Sequence, residues 1–406
     1  MTTSMGRQRS WQSAPMSRRS LLRGALLAAG AAAFPGALSA CTTGAAPSTG
    51  SSSAAADVTL ERKIAQMLMV GFRGLTLEPN NYIYRDIEQY HIGGTIVFDR
   101  DAALKTDGRN ITSPGQLRAL TTSLQELSQT PLFIAVDQEG GKVVRLKEKN
   151  GFPATVSAQY LGTLNDPAET KLWADSIAAT LAENGLNMNF APVVDLNVNP
   201  ESPAIGALER SFSADPAVVT EQARIFVQSA DAYGVATCFK HFPGHGSATA
   251  DSHLGFVDVT ETWTPAELAP YRSLIQHGYA RMIMTAHVFN RTIDPDLPAT
   301  LSPAFITDIL RTDLGFTGMI VTDDLQMEGL TQFFDYPTIV ERSILAGVDI
   351  ILVSNNLAYD PEVTPNTINH VVDLVRSGRI TEARIDESYQ RIMALKSQLA
   401  AEQQTR

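Results

Sequence analysis

Val235-Ala236-Thr237-Cys238-Phe239-Lys240-His241-Phe242 is a short apolar run that ends in charge. A strand buried on both faces reads this way, because helices cover both sides of a parallel sheet. Directly behind it, Pro243, Gly244, Gly246 and Ser247 break the pattern and predict a loop. A buried strand that opens into a polar loop is the repeating unit of α/β folds that do chemistry at their strand ends.

Working outward, seven similar runs recur: Met67–Phe72, Ile92–Phe98, Leu132–Asp137, Met188–Asp195, Ala280–His287, Met319–Asp323 and Val348–Ser354. Amphipathic stretches separate them, among them Ser113–Gln129, Pro167–Asn184, Pro216–Tyr233, Pro265–His277, Ser302–Leu314 and Ile339–Ala346. Asp215-Pro216, Thr264-Pro265 and Ser302-Pro303 each place a capping side chain before a proline at the first helical position. Eight runs alternating with helices predict an α/β fold, a (β/α)8 TIM-type barrel, with a doubly wound open sheet as the competitor. Polar residues gather where the runs end: Asp137, Asp195, Lys240 and His241, His287, Asp323. In a barrel those positions form the C-terminal rim, where active sites are built. Two helices, about 365–377 and 381–399, are expected to complete the domain.

The chain begins with a different kind of sequence. Arg18-Arg19 precedes an Ala/Leu-rich stretch from Gly24 to Ala33, too short to span a bilayer. Leu38-Ser39-Ala40-Cys41 follows and has the form of a lipobox, in which Cys41 would be lipidated. Residues 1–40 are therefore expected to be a signal peptide of twin-arginine and lipoprotein type. Residues 41–57, rich in Ser, Ala, Thr and Gly, are expected to be a tether, and residues 58–400 a catalytic domain. The implied location is outside the cytoplasmic membrane, held by lipid alone. The formal net charge is −11, and removing the five arginines of the first forty residues leaves −16. Such acidity argues against nucleic acid as a partner and against electrostatic attachment to anionic lipid. With Cys41 lipidated, Cys238 has no disulfide partner and reads as a small buried hydrophobe.

Three blocks carry candidate chemistry. The first is Lys240-His241-Phe242-Pro243-Gly244-His245-Gly246 with Asp251-Ser252-His253 after it. A metal site of His241, His245 and His253 competes for this block. Pro243 and Gly244 deny the helical face that a zinc-binding histidine pair uses, so no metal and no cofactor is expected. Imidazole titrates near neutral pH, and Asp251 would fix its tautomer and favour its charged form. The second block is Val321-Thr322-Asp323-Asp324-Leu325, a carboxylate at a strand end and so a candidate glycosyl nucleophile, with Asp324 read as a helix cap. The third is Asp137-Gln138-Glu139-Gly140-Gly141-Lys142-Val143-Val144-Arg145, where the glycines would allow backbone to approach a ligand and Asp137 would accept from sugar hydroxyls.

Together these blocks resemble glycoside hydrolase family 3, and within it the single-domain bacterial β-N-acetylglucosaminidases. The resemblance runs from about residue 58 to 400 and is most specific over Lys240–His253. It implies a barrel, Asp323 as nucleophile, His253 as general acid/base and Asp251 as its partner. It implies that Asp137, Arg145, Arg210, Lys240 and His241 bind the sugar. The implied reaction is retaining, exo-acting removal of terminal β-linked N-acetylglucosamine, with GlcNAc-containing cell-wall fragments as substrate. Three departures stand out. Ser247-Ala248 replaces the usual Asp-Thr, Lys142 stands where arginine is usual, and Gly206–Arg210 is two residues longer than its counterpart. β-Glucoside or β-xyloside cleavage, phosphorolysis and sugar binding without turnover are the competing readings.

Overall fold

The computed structural model describes residues 58–404. The expected signal peptide, Cys41 and the tether lie outside the described residues. Eight parallel strand positions follow one another in sequence. They are β1 (Leu68–Gly71), β2 (Gly94–Ile96), β3 (Phe133–Val136), β4 (Met188–Asn189), β5 (Ala236–Thr237 and Phe239–Phe242), β6 (Met282–Thr285), β7 (Met319–Thr322) and β8 (Ile351–Val353). All are buried.

The sheet closes on itself. β1 pairs with β2 (Met69 opposite Gly94) and also with β8 (Leu68 opposite Ile351). The bridges Val193–Lys240 and Val321–Ile350 carry the pairing between β4 and β5 and between β7 and β8. An open doubly wound sheet would leave edges, so the (β/α)8 barrel is the architecture. β4 is shorter than its apolar run. Pro192 has no N–H for the ladder, and Cys238 N–H spans the gap by reaching both Asn189 O (3.1 Å) and Ala191 O (3.0 Å).

The helices follow their caps. Ser113, Asp166, Asp215 and Asp335 accept backbone N–H groups at the starts of Pro114–Leu127, Pro167–Glu183, Pro216–Ala232 and Tyr336–Ala346. The other two expected caps do not act as caps. The Ser302 hydroxyl turns away to Asp294 Oδ2 (2.5 Å), and the segment behind it, Ala304–Asp313, winds as a wider π-helix. Thr264 makes no cap bond, and the expected helix splits into a 3₁₀ turn, Pro265–Leu268, and a helix, Ala269–Gln276. Pro270 causes the split, since it lacks the N–H that would continue the ladder. The last two helices are Val363–Arg376 and Glu382–Gln404.

Asp349, fully buried just before β8, ties the base of the barrel together. It accepts from Ile320 N–H (2.9 Å), Arg311 Nη2 (2.7 Å), Ser388 Oγ (2.8 Å) and Arg391 Nη1 (2.9 Å). Removing it would strand buried guanidinium groups, which costs far more than losing a surface ion pair. Asp349→Ala should lower unfolding free energy in urea by about 3–5 kcal/mol. A loss of the size typical of a surface pair, about 1 kcal/mol or less, would show that the arginines re-solvate without it.

Candidate active site

β5 ends inside the barrel, so Lys240 has almost no contact with water. Its Nζ lies 2.8 Å from Asp137 Oδ1 and 2.7 Å from Glu139 Oε1, both from the loop after β3. Arg210 grips Glu139 with two bonds, Nε to Oε2 (2.8 Å) and Nη2 to Oε1 (2.7 Å). Arg145 reaches the other oxygen of Asp137 at 3.5 Å. Burial pushes the carboxyl of Glu139 up, but Arg210 and Lys240 more than offset it and hold it far below the usual carboxylate range. The same contest leaves Asp137 lowered, with Lys240 and Arg145 beside it. Glu139 is therefore locked as a carboxylate, which removes it as a candidate proton donor.

His241 sits against this network. Its Nδ1 faces Asp195 Oδ2 at 2.7 Å, and Arg210 Nη2 lies 3.1 Å from its Nε2. Burial, then Arg210 and Lys240, push its pKa well below the ordinary value. The neutral ring fits both contacts, with Nδ1–H donating to Asp195 and Nε2 accepting from Arg210. Asp195 also accepts the backbone N–H of His241 (3.1 Å) and of His245 (2.8 Å).

Asp323 follows β7 directly. Its N–H reaches Thr285 O at 3.3 Å, and its Oδ1 accepts Asp324 N–H at 2.8 Å. Burial raises its pKa, but His241, His287, His253 and the Asp324 N–H outweigh burial and leave it lowered. An ionised, partly exposed carboxylate at a strand end is the form a nucleophile needs. Asp324 does not cap a helix as expected. It accepts Ser354 N–H (3.0 Å), the Ser354 hydroxyl and Gln326 N–H (3.2 Å), tying the end of β7 to the end of β8.

The remaining pair lies on the loop after β5. His253 Nδ1 is 2.8 Å from Asp251 Oδ1, which also accepts His253 N–H at 2.9 Å. The His253 side chain is 53% exposed, against 6% for His241. Partial burial disfavours its charge, but Asp251 and the Asp323 carboxylate outweigh this and raise its pKa. The hydrogen bond to His253 in turn lowers Asp251 to about 2. With Nδ1 engaged, Nε2 is the atom left to handle a proton. Two adjoining cavities of about 250 and 310 Å³ meet over these groups, and Asp137, Arg145, His253 and Asp323 line both. All eight expected site residues from 137 to 323 thus converge on one rim. Among the described residues, no group of three His, Cys, Asp or Glu side chains is arranged to hold a metal ion.

The chain has relatives among known proteins. The model of the glycosyl hydrolase family 3 N-terminal domain matches residues 59–395. The chain belongs to glycosyl hydrolase family 3. Membership makes it a glycosidase. A β-hexosaminidase of Tolumonas auensis is 36% identical over 72% of this chain and 83% of its own. Beta-hexosaminidase A of Pseudoalteromonas piscicida is 32% identical over 77% of this chain, which spans only about half, 54%, of that longer relative. Among solved structures, a family 3 β-N-acetylglucosaminidase from Paenibacillus superposes with a TM-score of 0.77 at 36% identity, over 84% of this chain and 63% of that one. The β-N-acetylhexosaminidase of Beutenbergia cavernae gives 0.74 at 31%, over 84% and 99%.

Two of the positions expected to depart from the family pattern meet in this family 3 barrel. Lys142 Nζ pairs with Glu209 (2.8 Å) and donates to Ala207 O (3.1 Å), so it fastens the Gly206–Arg210 loop. Glu209 takes a left-handed backbone (φ 58°), and Arg210 still reaches Glu139 and His241. Gly140 and Gly141, expected from the sequence to let backbone approach a ligand, line neither of the two cavities. Both have positive φ, and a Cβ there would strike Val156 O (2.3 Å) or Ser157 Cβ (2.6 Å). They exist for backbone packing. Glu139 and Asp195 were not legible as the partners of Arg210 and His241, although Asp195 carried a signal as a strand-end acid.

Proposed function

We propose that this chain is a retaining, exo-acting β-N-acetylhexosaminidase that removes terminal β-linked N-acetylglucosamine from cell-wall-derived glycans. One observation carries the reading: Asp323 and the Asp251–His253 pair line the same cavity, beside a rigid set of charged donors and acceptors. The names and extents of the family 3 relatives support the sugar.

In this mechanism Arg145, Arg210, Lys240, His241 and Asp137 hold the sugar hydroxyls. An Asp323 carboxylate oxygen attacks the anomeric carbon as His253 Nε2–H passes its proton to the leaving oxygen. The glycosidic C–O bond breaks, and a covalent glycosyl-Asp323 ester remains. His253, now neutral, takes a proton from water, which attacks the anomeric carbon and releases Asp323. The configuration is retained through two inversions. Asp251 keeps Nδ1 protonated throughout, so only Nε2 cycles. An assay with 4-nitrophenyl β-GlcNAc and β-glucoside substrates, with and without phosphate, tests the sugar and the acceptor. Faster cleavage of the glucoside, or release of sugar 1-phosphate, would overturn the reading.

A 2-deoxy-2-fluoro glycoside with a good leaving group should label Asp323, read by peptide mass spectrometry. Label on Asp324 would refute the assignment. His253→Ala should slow a disaccharide by about 10²–10⁴-fold, the range of general acid catalysis. A dinitrophenyl glycoside should keep its fast burst, and azide should restore turnover as a β-glycosyl azide. Equal losses on both substrates without azide rescue would show that His253 is no acid/base.

The same proposal places the enzyme outside the cytoplasmic membrane, held by a lipidated Cys41. The lipobox pattern Leu38-Ser39-Ala40-Cys41 supports it. Cys41→Ala should move the protein from the detergent phase to the soluble fraction. Unchanged partitioning would sink the anchor.

A further inference from the structure

Beneath the loop that carries His253 lies a carboxyl that the chemistry above leaves unused. Glu267 belongs to the turn Pro265–Leu268 and is 1% exposed. Its Oε2 accepts Gly246 N–H at 3.2 Å, and Ser247 is its next polar neighbour. Its Oε1 has no hydrogen-bond partner among the described residues. The loop presses directly on it. Gly244 has φ +126°, and a Cβ there would lie 2.7 Å from both Cβ and Oε2 of Glu267. On the opposite side, a Cβ on Gly246 would lie 1.7 Å from Leu196 O. Residues 244–247 are thus clamped between Leu196 and Glu267.

The clamp leads to the catalytic pair. His245, inside the clamp, is held through its N–H by Asp195, and its Nε2 stands 3.4 Å from Ser252 Oγ. Ser252 lies between Asp251 and His253, and its carbonyl accepts Gly329 N–H at 3.0 Å. His245 thus links Gly246 to the backbone that presents the imidazole.

We propose that Glu267 is a positioning residue for His253, clamping residues 244–247 so that the imidazole stands where a leaving oxygen can receive its proton. The proposal rests on the reading of His253 as acid/base. Three groups face the Glu267 carboxyl: Ser247 from the loop, Asp195 from the end of the β4 run and Tyr271 from the following helix, with His245 and His241 beyond Asp195. Burial, with Asp195 adding to it, pushes Glu267 up to about 7. Below that pH the carboxyl is neutral and can accept from Gly246. Above it, a second buried negative charge develops beside Asp195, which works against the clamped geometry.

Two measurements test this, with His253→Ala as the reference. Glu267→Ala should slow disaccharide cleavage by about ten- to a hundredfold, the scale of an ångström-sized misplacement. It should leave the dinitrophenyl burst unchanged, because that step needs no acid, and Glu267→Gln should recover most of the loss. Equal loss on both substrates, or none, would overturn the proposal while the split seen in His253→Ala kept the acid/base reading intact. Absence of a split in His253→Ala would overturn both. The second measurement holds even if Glu267→Ala does not fold. The ratio of Glu267→Gln to wild-type disaccharide activity should be flat well below pH 7, where both side chains are neutral, and should rise as the pH passes through about 7. His253 titrates in both proteins and cancels from the ratio. A ratio that stays flat at every pH would overturn the proposal.

Discussion

An ammonium group taken out of water stays charged only if carboxylates are held against it. Lys240 imposes that demand at the centre of this barrel. Asp137 and Glu139 must both come within hydrogen-bond distance from the loop after β3. Glu139 must then be balanced by Arg210, and Arg210 must lie beside a neutral His241 so that the cations do not crowd a further charge. Asp195 completes the chain by fixing the His241 tautomer. Each group is where it is because another would otherwise be a buried unpaired charge. The result is a set of donors and acceptors that needs no reorganisation to meet a polyhydroxylated ring.

The acid/base pair is built on the opposite principle. The side chains of His253 and Asp251 pair with each other on one short loop, and the imidazole is half in solvent. Its pKa is raised while that of His241, twelve residues earlier, is depressed well below the ordinary value. Burial and neighbouring cations neutralise one imidazole, whereas an adjacent carboxylate and solvent access let the other carry a proton. Environment alone separates the binding histidine from the proton-handling one.

The Gly206–Arg210 loop shows how the network holds its guanidinium in place. A left-handed Glu209 pairs with Lys142, and the next residue, Arg210, meets both oxygens of Glu139.

Local pattern determined much of this protein by itself. The eight strand positions, the helix cap at Asp215, the strand-end Asp323 and the Asp251–His253 pair are all legible within a few residues, because strand burial, capping and this dyad are short-range. The count of eight runs predicted a closed barrel, but the contact that closes it, β1 against β8, joins residues far apart in the chain and is seen only in the fold. The ion network was not legible, because Lys240 and Asp137 are 103 positions apart, Arg210 and Glu139 are 71 apart, and His241 and Asp195 are 46 apart. Glu267 carried no signal in the sequence, because Gly246, whose N–H it accepts, lies 21 positions away. Glycines 140 and 141 announced a close backbone approach, but only the fold disclosed that Val156 and Ser157, and not a ligand, are what they approach. Composition and spacing specify which groups a chain owns. Which charges must share a dry interior, and so which pKa values move, is decided only when the barrel brings its strand ends together.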